Sequence, residues 1–366
     1  MATPAIDVLV PVYNSAATVK ESLASIQAQT VKDIRIVVVN DGSTDGSADI
    51  VASLAQSDQR ICLINRPNSG IVDTLNFGLG TCQAEFIARF DADDISYPNR
   101  FEVQLAYLRN HPDCLAVGGR VDHIDEEGRP LYGLPHPGPP ELADPAWVPA
   151  GEPYLIHPFL MARRAALAKV GGYRFVPNSE DTDLYWRLAE HGRLHNLDTA
   201  LGQYRMHTKS ISGSSIGNGR IMAACSQLAA LSAIRRRQGR PDLDFTADHA
   251  RQLRTSGSLE DVYHRACAGL DDDESRHLSA AISAKLLELT NYRPYELEVA
   301  DCAFIRKSLE RTETLPWQNQ KELKWLATVA AARLITKGKL REAAALVAPS
   351  SYPVVAARVL RRLAGR

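Results

Sequence analysis

The sequence predicts an α/β protein whose mainly parallel central sheet is built first and is followed by an α-helical C-terminal region. Three observations predict it. Short β-branched runs alternate with helix-period segments through the first hundred or so residues, those runs are almost continuously apolar, and from about residue 216 the strand signal gives way to Ala/Leu-rich helical segments. Alternation of this kind means βαβ units. Near-continuous apolar strands mean that both sheet faces are covered.

The elements follow in order. "IDVLVPVY" (6–13) is the first strand, and Ala17, Val19, Leu23 and Ile26 mark a helix near 17–28. "IRIVVV" (34–39) is the second strand, followed by a helix near 46–56 carrying Ile50, Val51 and Leu54. "ICLI" (61–64) and a helix near 70–81 come next, then the strand "EFIARF" (85–90). Pro98 opens a helix running to about Asn110, because proline suits a first helical turn. Residues 128–153 are rich in proline and glycine and read as a long loop of the kind that orders on a ligand. "RRAALAKVGGY" (163–173) is a helix stopped by two glycines. A helix near 182–191 and short strands near 193–206 complete a first domain, 1–215. "SGSSIGN" (212–218) is a Ser/Gly-rich linker. "GRIMAACSQLAALSAIRRRQ", "ESRHLSAAISAKLLELT", "EVADCAFIRKSLERT" and "KELKWLATVAAARLI" have helical period and form a second domain, 216–366.

Charge divides along the same line. Residues 1–215 hold 18 Lys+Arg against 26 Asp+Glu, a net of −8, and the remainder holds 24 against 17, a net of +7. An acidic half suits a site that holds a cation, and a basic half suits an anionic surface or ligand. No apolar run approaches the ~18 residues needed to span a bilayer, and "MATPAIDVLVPVY" has no basic stretch of a signal peptide. The six cysteines lie far apart without a CxxC pair, which favours reduced thiols and a cytoplasmic location.

Ligands of open parallel sheets bind beyond the carboxyl ends of the strands. All four strand exits are polar or aromatic: Tyr13-Asn14, Asn40-Asp41-Gly42-Ser43, Arg66-Pro67-Asn68-Ser69-Gly70 and Asp91-Ala92-Asp93-Asp94. An isolated DxD is usually a solvated acidic loop. Directly after a buried strand, however, the pair can share a hard divalent cation with substrate phosphates. Neither GxxxxGK[ST] nor GxGxxG occurs, so a glycine cradle for phosphate is lacking. "SEDTDLYWRL" (179–188) is a second carboxylate cluster, in which the acids suit the first turn of a helix on dipole grounds alone.

In this order, "VPVYN", "VVNDGSTDGS", "NSGIVDTLNFGL", "RFDADDISYPNRFEVQ", "AVGGRV", "IHPFLMARRAALAKVGGYR", "SEDTDLYWRL" and "YRMHTKSIS" resemble the inverting glycosyltransferases of family 2, with the GT-A fold, over about residues 5–213. The resemblance implies that Tyr13 stacks on a nucleotide base, that Asp41 accepts a hydrogen bond from it, typically from uracil, and that Asp91 approaches the ribose or the metal. Asp93 would ligate Mg2+ or Mn2+ bridging the diphosphate, His207 would complete the metal shell, and Asp94 would support the loop. Pro11, Asn14, Arg66, Asn76 and Ala92 are the other implied donor contacts, with Arg205 and Lys209 meeting the diphosphate. Asp181 would be the catalytic base, Glu180 its neighbour, and His157 and Trp186 would face the acceptor, although helix packing is the favoured reading of Trp186. Asp73 departs from the family pattern, and its side chain is expected to point away from the diphosphate or to contact the base.

The implied reaction moves a sugar from a nucleotide donor, UDP-linked, to a saccharide or polyprenyl-linked glycolipid. The rivals are a nucleotidyltransferase, which would want an Arg-containing glycine loop after the first strand, and a non-catalytic module of the same fold. From Arg333 onward there are eight Lys/Arg and one acid, Glu342. In "YPVVAARVLRRLAGR", Val355, Val359 and Leu363 share a helical face largely apart from Arg358, Arg361 and Arg362. This helix either packs on its own domain or lies on anionic lipid at the inner face of the membrane. Nucleic acid is not expected, because the basic residues lack interleaved aromatics.

Overall fold

The computed structural model describes residues 3–134, 136–207, 215–312 and 315–364. The chain forms two compact units: Met1–Ala143 with Pro153–Arg174 and Glu180–His207, and Thr208–Arg366 with Asp144–Glu152 and Phe175–Ser179. Lys209 and the first three residues of the "SGSSIGN" stretch lie outside the described residues, while Ile216, Gly217 and Asn218, expected in a linker, already belong to the first helix of the second unit, because Ser215 caps it.

The first unit is built on one sheet of nine strands: β1 (Ile6–Val12), β2 (Ile34–Asp41), β3 (Ile61–Arg66), β4 (Phe86–Arg89), β5 (Ile95–Ser96), β6 (Cys114–Ile124), β7 (Pro130–Leu131), β8 (Met161–Arg163) and β9 (Arg193–Arg205). The order is β3-β2-β1-β4-β8-β6-β9-β5, with β7 on β6. The block β3-β2-β1-β4 is parallel throughout, as the βαβ pattern requires. Its crossovers are α1 (Val19–Gln27), α2 (Ser47–Ser57) and α3 (Ile71–Thr81). Beyond β4 the sheet becomes mixed. β8 runs antiparallel to β4 and β6, β9 runs parallel to β6, and β5 runs antiparallel to β9. The glycine pair 118–119 dilutes the strand signal of β6, and β8 has only three residues. The expected short strands near 193–206 are one 13-residue strand, whose pairing with β6 slips at three irregularities. The remaining helices are α4 (Arg100–Asn110), α5 (Arg164–Lys169) and α6 (Glu180–Ala189).

Register explains where the strands end. Val12 pairs with Asn40, Asp41 with Arg66, and Leu9 with Arg89, so the four parallel strands release their following loops at one sheet edge. Ile6, Val8, Val10, Ile36, Val38, Leu23, Ile26 and Phe86 form part of a sheet core exposed by no more than 1%.

The second unit is helical: α7 (Ile216–Arg237), α8 (Ala247–Arg254), α9 (Leu259–Ala266), α10 (Asp272–Leu289), α11 (Val299–Leu309), α12 (Trp317–Thr336), α13 (Leu340–Leu346) and α14 (Tyr352–Ala364). The starts of α7–α10 are capped by Ser215, Thr246, Ser258 and Asp271, the last in a reciprocal capping box with Glu274. Buried alanines such as Ala224, Ala281, Ala284 and Ala331 interleave with Leu278, Leu287 and Leu334 in its core. Arg220 is buried within it and donates to both oxygens of buried Asp301.

Candidate active site

Tyr13 leaves β1 with its ring 53% exposed, so a planar ligand can stack on it. Asn14 adopts a left-handed conformation at φ 50°. Its amide accepts from the first exit's β2 counterpart, taking the N–H of Thr44 at 2.8 Å, while its backbone N–H donates to Ser43 Oγ at 3.0 Å. Asn14 thus joins the loops after β1 and β2 to each other. Gly42 turns at φ 71°, with Asn68 N 2.6 Å from where a Cβ would stand, so only glycine fits. Asp41 is 5% exposed. Its Oδ1 accepts the Ser69 N–H at 2.8 Å and the Ser69 hydroxyl at 3.1 Å, and its Oδ2 accepts the Gly70 N–H at 3.0 Å. The carboxylate therefore fixes the entry to α3, and Oδ2 retains a lone pair for a further donor. Asp45 accepts the Ser47 N–H at 3.0 Å, a helix-start role.

Among the expected donor contacts, Pro11, Asn76 and Arg205 are buried in or bonded to the scaffold. Pro11 is buried inside β1 opposite Val39. Both amide atoms of Asn76 are spent on the backbone of Tyr173, each at 2.8 Å. Arg66 lies over the Phe77 ring, 4.2 Å from its centroid, and donates to the Asp73 carbonyl at 3.3 Å. Asp73 itself stands in the first turn of α3. Arg205 is 6% exposed. Its guanidinium donates to the Asp93 carbonyl at 2.8 Å, the Glu126 carbonyl at 3.2 Å and Glu21 at 2.8 Å, which leaves no open face for a diphosphate.

The exit of β4 gathers charge. Asp91, Asp93 and Asp94 each offer an oxygen within 4.8 Å of the others. Asp94 is buried; its Oδ1 accepts the Arg205 N–H at 2.8 Å, so it supports the turn as expected. Its Oδ2 is buried without a hydrogen-bond partner. Burial, and then the charges of Asp93 and Asp91, push the Asp94 carboxyl well above the usual range. The turn is tied to α1, with Thr18 Oγ1 donating to the Ala92 carbonyl at 2.9 Å and Ser22 Oγ to the Asp94 carbonyl at 2.6 Å. The Ala92 side chain is buried, so only its backbone is on offer. His207 Nε2 lies 3.0 Å from Asp93 Oδ2, and this hydrogen bond raises the imidazole above its ordinary value. Arg89, buried in β4, pairs with Asp91 at 2.5 Å. Its charge inside an otherwise apolar strand was the sequence signal for it, and sequence reasoning passed it over. The donor set fits a hard cation: three convergent carboxylates with an imidazole beside them, and an orphaned buried oxygen that an ion would satisfy.

Glu180 and Asp181 open α6 half-buried, and Asp181 Oδ1 accepts the Thr182 N–H at 2.7 Å. Asp183 is fully buried, held by Arg174 and by Arg187 at 2.7 Å. The cluster thus divides into a structural acid and an accessible pair. His157 and Trp186 do not face an acceptor. Trp186 is fully buried, and His157 is 7% exposed with Nε2 2.7 Å from the Tyr173 hydroxyl. Burial and the charge of Arg89 push His157 well below its ordinary value, so the ring is neutral. Sequence reasoning did not single out buried Tyr173, which the charges of both carboxylate groups reach, or buried Tyr185, which that of Asp181 reaches. Burial raises the Tyr173 phenol, and the charges of Asp181, Glu180 and Asp91 all act on it in the same direction. The two acid clusters are therefore electrostatically in range of one buried tyrosine.

Residues 7–171 match the family model described as glycosyl transferase family 2. The putative glycosyltransferase EpsE of Bacillus subtilis (strain 168) is 34% identical over 212 residues, covering 55% of this chain and 73% of the relative. An uncharacterized glycosyltransferase of Haemophilus influenzae is 32% identical over 213 residues, covering 56% of this chain and 66% of the relative. For a longer relative from Rickettsia conorii the match spans 34% of its length. Among solved structures, S. aureus TarS 1-349 is similar over 91% of both chains with a TM-score of 0.51 at 18% identity. The same protein in complex with UDP-GlcNAc gives 0.50 at 17% identity. These likenesses carry the GT-A fold. With an acid-lined strand edge on that fold and a curated relative matched over most of its length, the chain belongs to glycosyl transferase family 2.

Proposed function

We propose that the protein transfers a sugar from a UDP-linked donor to a hydroxyl of a saccharide or polyprenyl-linked glycolipid, inverting the anomeric centre. The observation that carries this reading is the division of labour among the acids. Asp91, Asp93 and Asp94 converge at the β4 exit, while Glu180 and Asp181 form a separate, accessible pair on α6. Support for the donor comes from TarS, which was solved with UDP-GlcNAc and with UDP. Asp93, His207 and Asp91 would hold Mn2+ or Mg2+, which supplies charge neutralisation for a departing diphosphate. Tyr13 stacks on the base, and Asp41, through Ser69 and Gly70, shapes the pocket wall that receives it. Asp181 takes the proton of the acceptor hydroxyl as its oxygen bonds the anomeric carbon and the nucleoside diphosphate leaves from the opposite side. Such a base contributes roughly 10²–10⁴ in rate. The six cysteines are thiols, not disulfides, which supports a reducing cytoplasmic location.

The test is a donor panel scored for nucleoside diphosphate release, repeated with Asp181→Asn. We expect UDP-sugars to be turned over and Asp181→Asn to lower kcat by about 10²-fold or more with donor binding retained. Unchanged turnover in that variant removes Asp181 as base. Turnover of a sugar phosphate with UTP instead would establish the nucleotidyltransferase.

A further inference from the structure

The C-terminal helices carry an exposed surface that the transfer reaction does not use. On α12, Trp317, Lys321 and Trp325 recur every four residues on one face, with the two indoles 70% and 46% exposed. Lys321 Nζ stands 5.3 Å from the Trp317 ring centroid, and Arg358 of α14 reaches to 5.7 Å from the Trp325 ring. The two helices thereby present one continuous surface. Val355 of α14 is buried and Val359 half-buried against the helical core. Val354, Leu360 and Leu363 remain 51%, 67% and 55% exposed, next to exposed Arg361 and Arg362. Packing on its own unit thus accounts for only part of the apolar content of this helix.

We infer that this surface docks onto an anionic lipid bilayer, with α14 lying in the interface plane and the tryptophans at headgroup depth. The side chains are of interfacial type: indoles and aliphatics that enter the acyl boundary, and long cations whose stems lie on apolar surface while their heads meet phosphate. Charge selects the occupant. α14 carries Arg358, Arg361 and Arg362 and no acid, and among the described residues lining the space between the two tryptophans Glu322 is the one acid, offset by Lys321. Two copies of such a surface would repel each other, whereas anionic headgroups attract it. The mode is peripheral. Among the described residues no single helix is long and apolar enough to cross a membrane. Leu340–Leu346 and Pro349–Leu363 reach that length only together, and they are bent by 106°.

Cosedimentation of the full chain with phosphatidylglycerol–phosphatidylcholine vesicles and with pure phosphatidylcholine vesicles tests this. Binding to the anionic vesicles alone is expected, with a blue shift of tryptophan emission and release by high salt. Arg361→Glu/Arg362→Glu should lower the affinity about tenfold or more, and Trp317→Ala/Trp325→Ala should abolish the blue shift. Both variants change exposed residues, and unaltered circular dichroism and melting confirm that they are folded. Equal binding to both vesicle types, no binding, or release by detergent alone overturns the inference. So does a concentration-dependent dimer lost in the tryptophan variant, which would assign the surface to a second copy. UDP-sugar turnover should be unchanged in both variants, so failure here and failure of the transferase reading are distinguishable.

Discussion

Asp181 and Asp183 are two residues apart on one helix turn and differ completely in what they can do. Asp183 is fully buried between Arg174 and Arg187. Removing its charge takes the fully buried carboxylate away from both guanidiniums, and breaking such a buried pair costs about 3–5 kcal/mol. Asp183→Asn should therefore lower the urea midpoint sharply, while Asp181→Asn should shift it little and act on kcat. Equal stability losses in both variants would mean that Asp181 is structural too. The sequence could not separate these acids, because helix-dipole chemistry suits both. The separation comes from Arg174, nine positions before Asp183, and no local pattern announces it. The same limit applies to Asn76, Arg205 and His157. Their side-chain types suit ligand contact, but their partners, the Tyr173 backbone, the acidic turn and the Tyr173 hydroxyl, are supplied by distant chain. The convergence of Asp91 and Asp93 was legible from their position after a buried strand, and the nearness of His207 to Asp93 from the family resemblance alone.

Among the elements, the parallel block β3-β2-β1-β4 was readable from period and composition, since β1, β2 and β4 are buried on both faces, the edge strand β3 is still apolar and β-branched at its start, and helices cross over between them. The mixed half was not. β5 has two residues and β8 three, too short to show a period. Yet β5 and β9 set the position of the metal-ligand candidates, because β5 directly follows Asp94 and β9 ends at Arg205. Gly202 of β9 lies opposite Ser96, where a Cβ would stand 2.3 Å from the Ile95 carbonyl oxygen and 2.4 Å from the Phe159 ring. Neither neighbour can yield, as one is backbone and the other is a fully buried ring. Gly202→Ala should push β5 away from β9 and displace the Asp91–Asp94 turn. The expected outcome is a loss of roughly 1–3 kcal/mol in stability together with weaker Mn2+ binding measured by calorimetry. Wild-type metal affinity in a destabilised variant would show that the turn is held independently of this strand pair.

For the molecule as a whole, the opposite charges of the two halves were visible in the sequence. The membership of Asp144–Glu152 and Phe175–Ser179 in the helical unit was not, because it depends on contacts such as Ala150 N–H with Gln227 Oε1 at 3.0 Å and Lys285 with Glu152 at 3.0 Å. The acidic half is the part whose stability should answer to ligand. Three carboxylates crowded within 4.8 Å repel one another, and burial lifts the Asp94 carboxyl out of its usual range. A cation relieves that repulsion, and a diphosphate can join only once the charge is balanced. A ligand that binds only the folded state at a hundredfold excess over its Kd stabilises by about 2.7 kcal/mol, which is roughly 5–10 °C in Tm for a domain of this size. UDP with Mn2+ should therefore raise Tm by several degrees, UDP with a chelator should give less than half of that rise, and Asp93→Asn should lose the metal-dependent part. A shift that is identical with and without chelator would mean that the nucleotide is held by protein groups alone, and the acid cluster would then have to be explained without a cation.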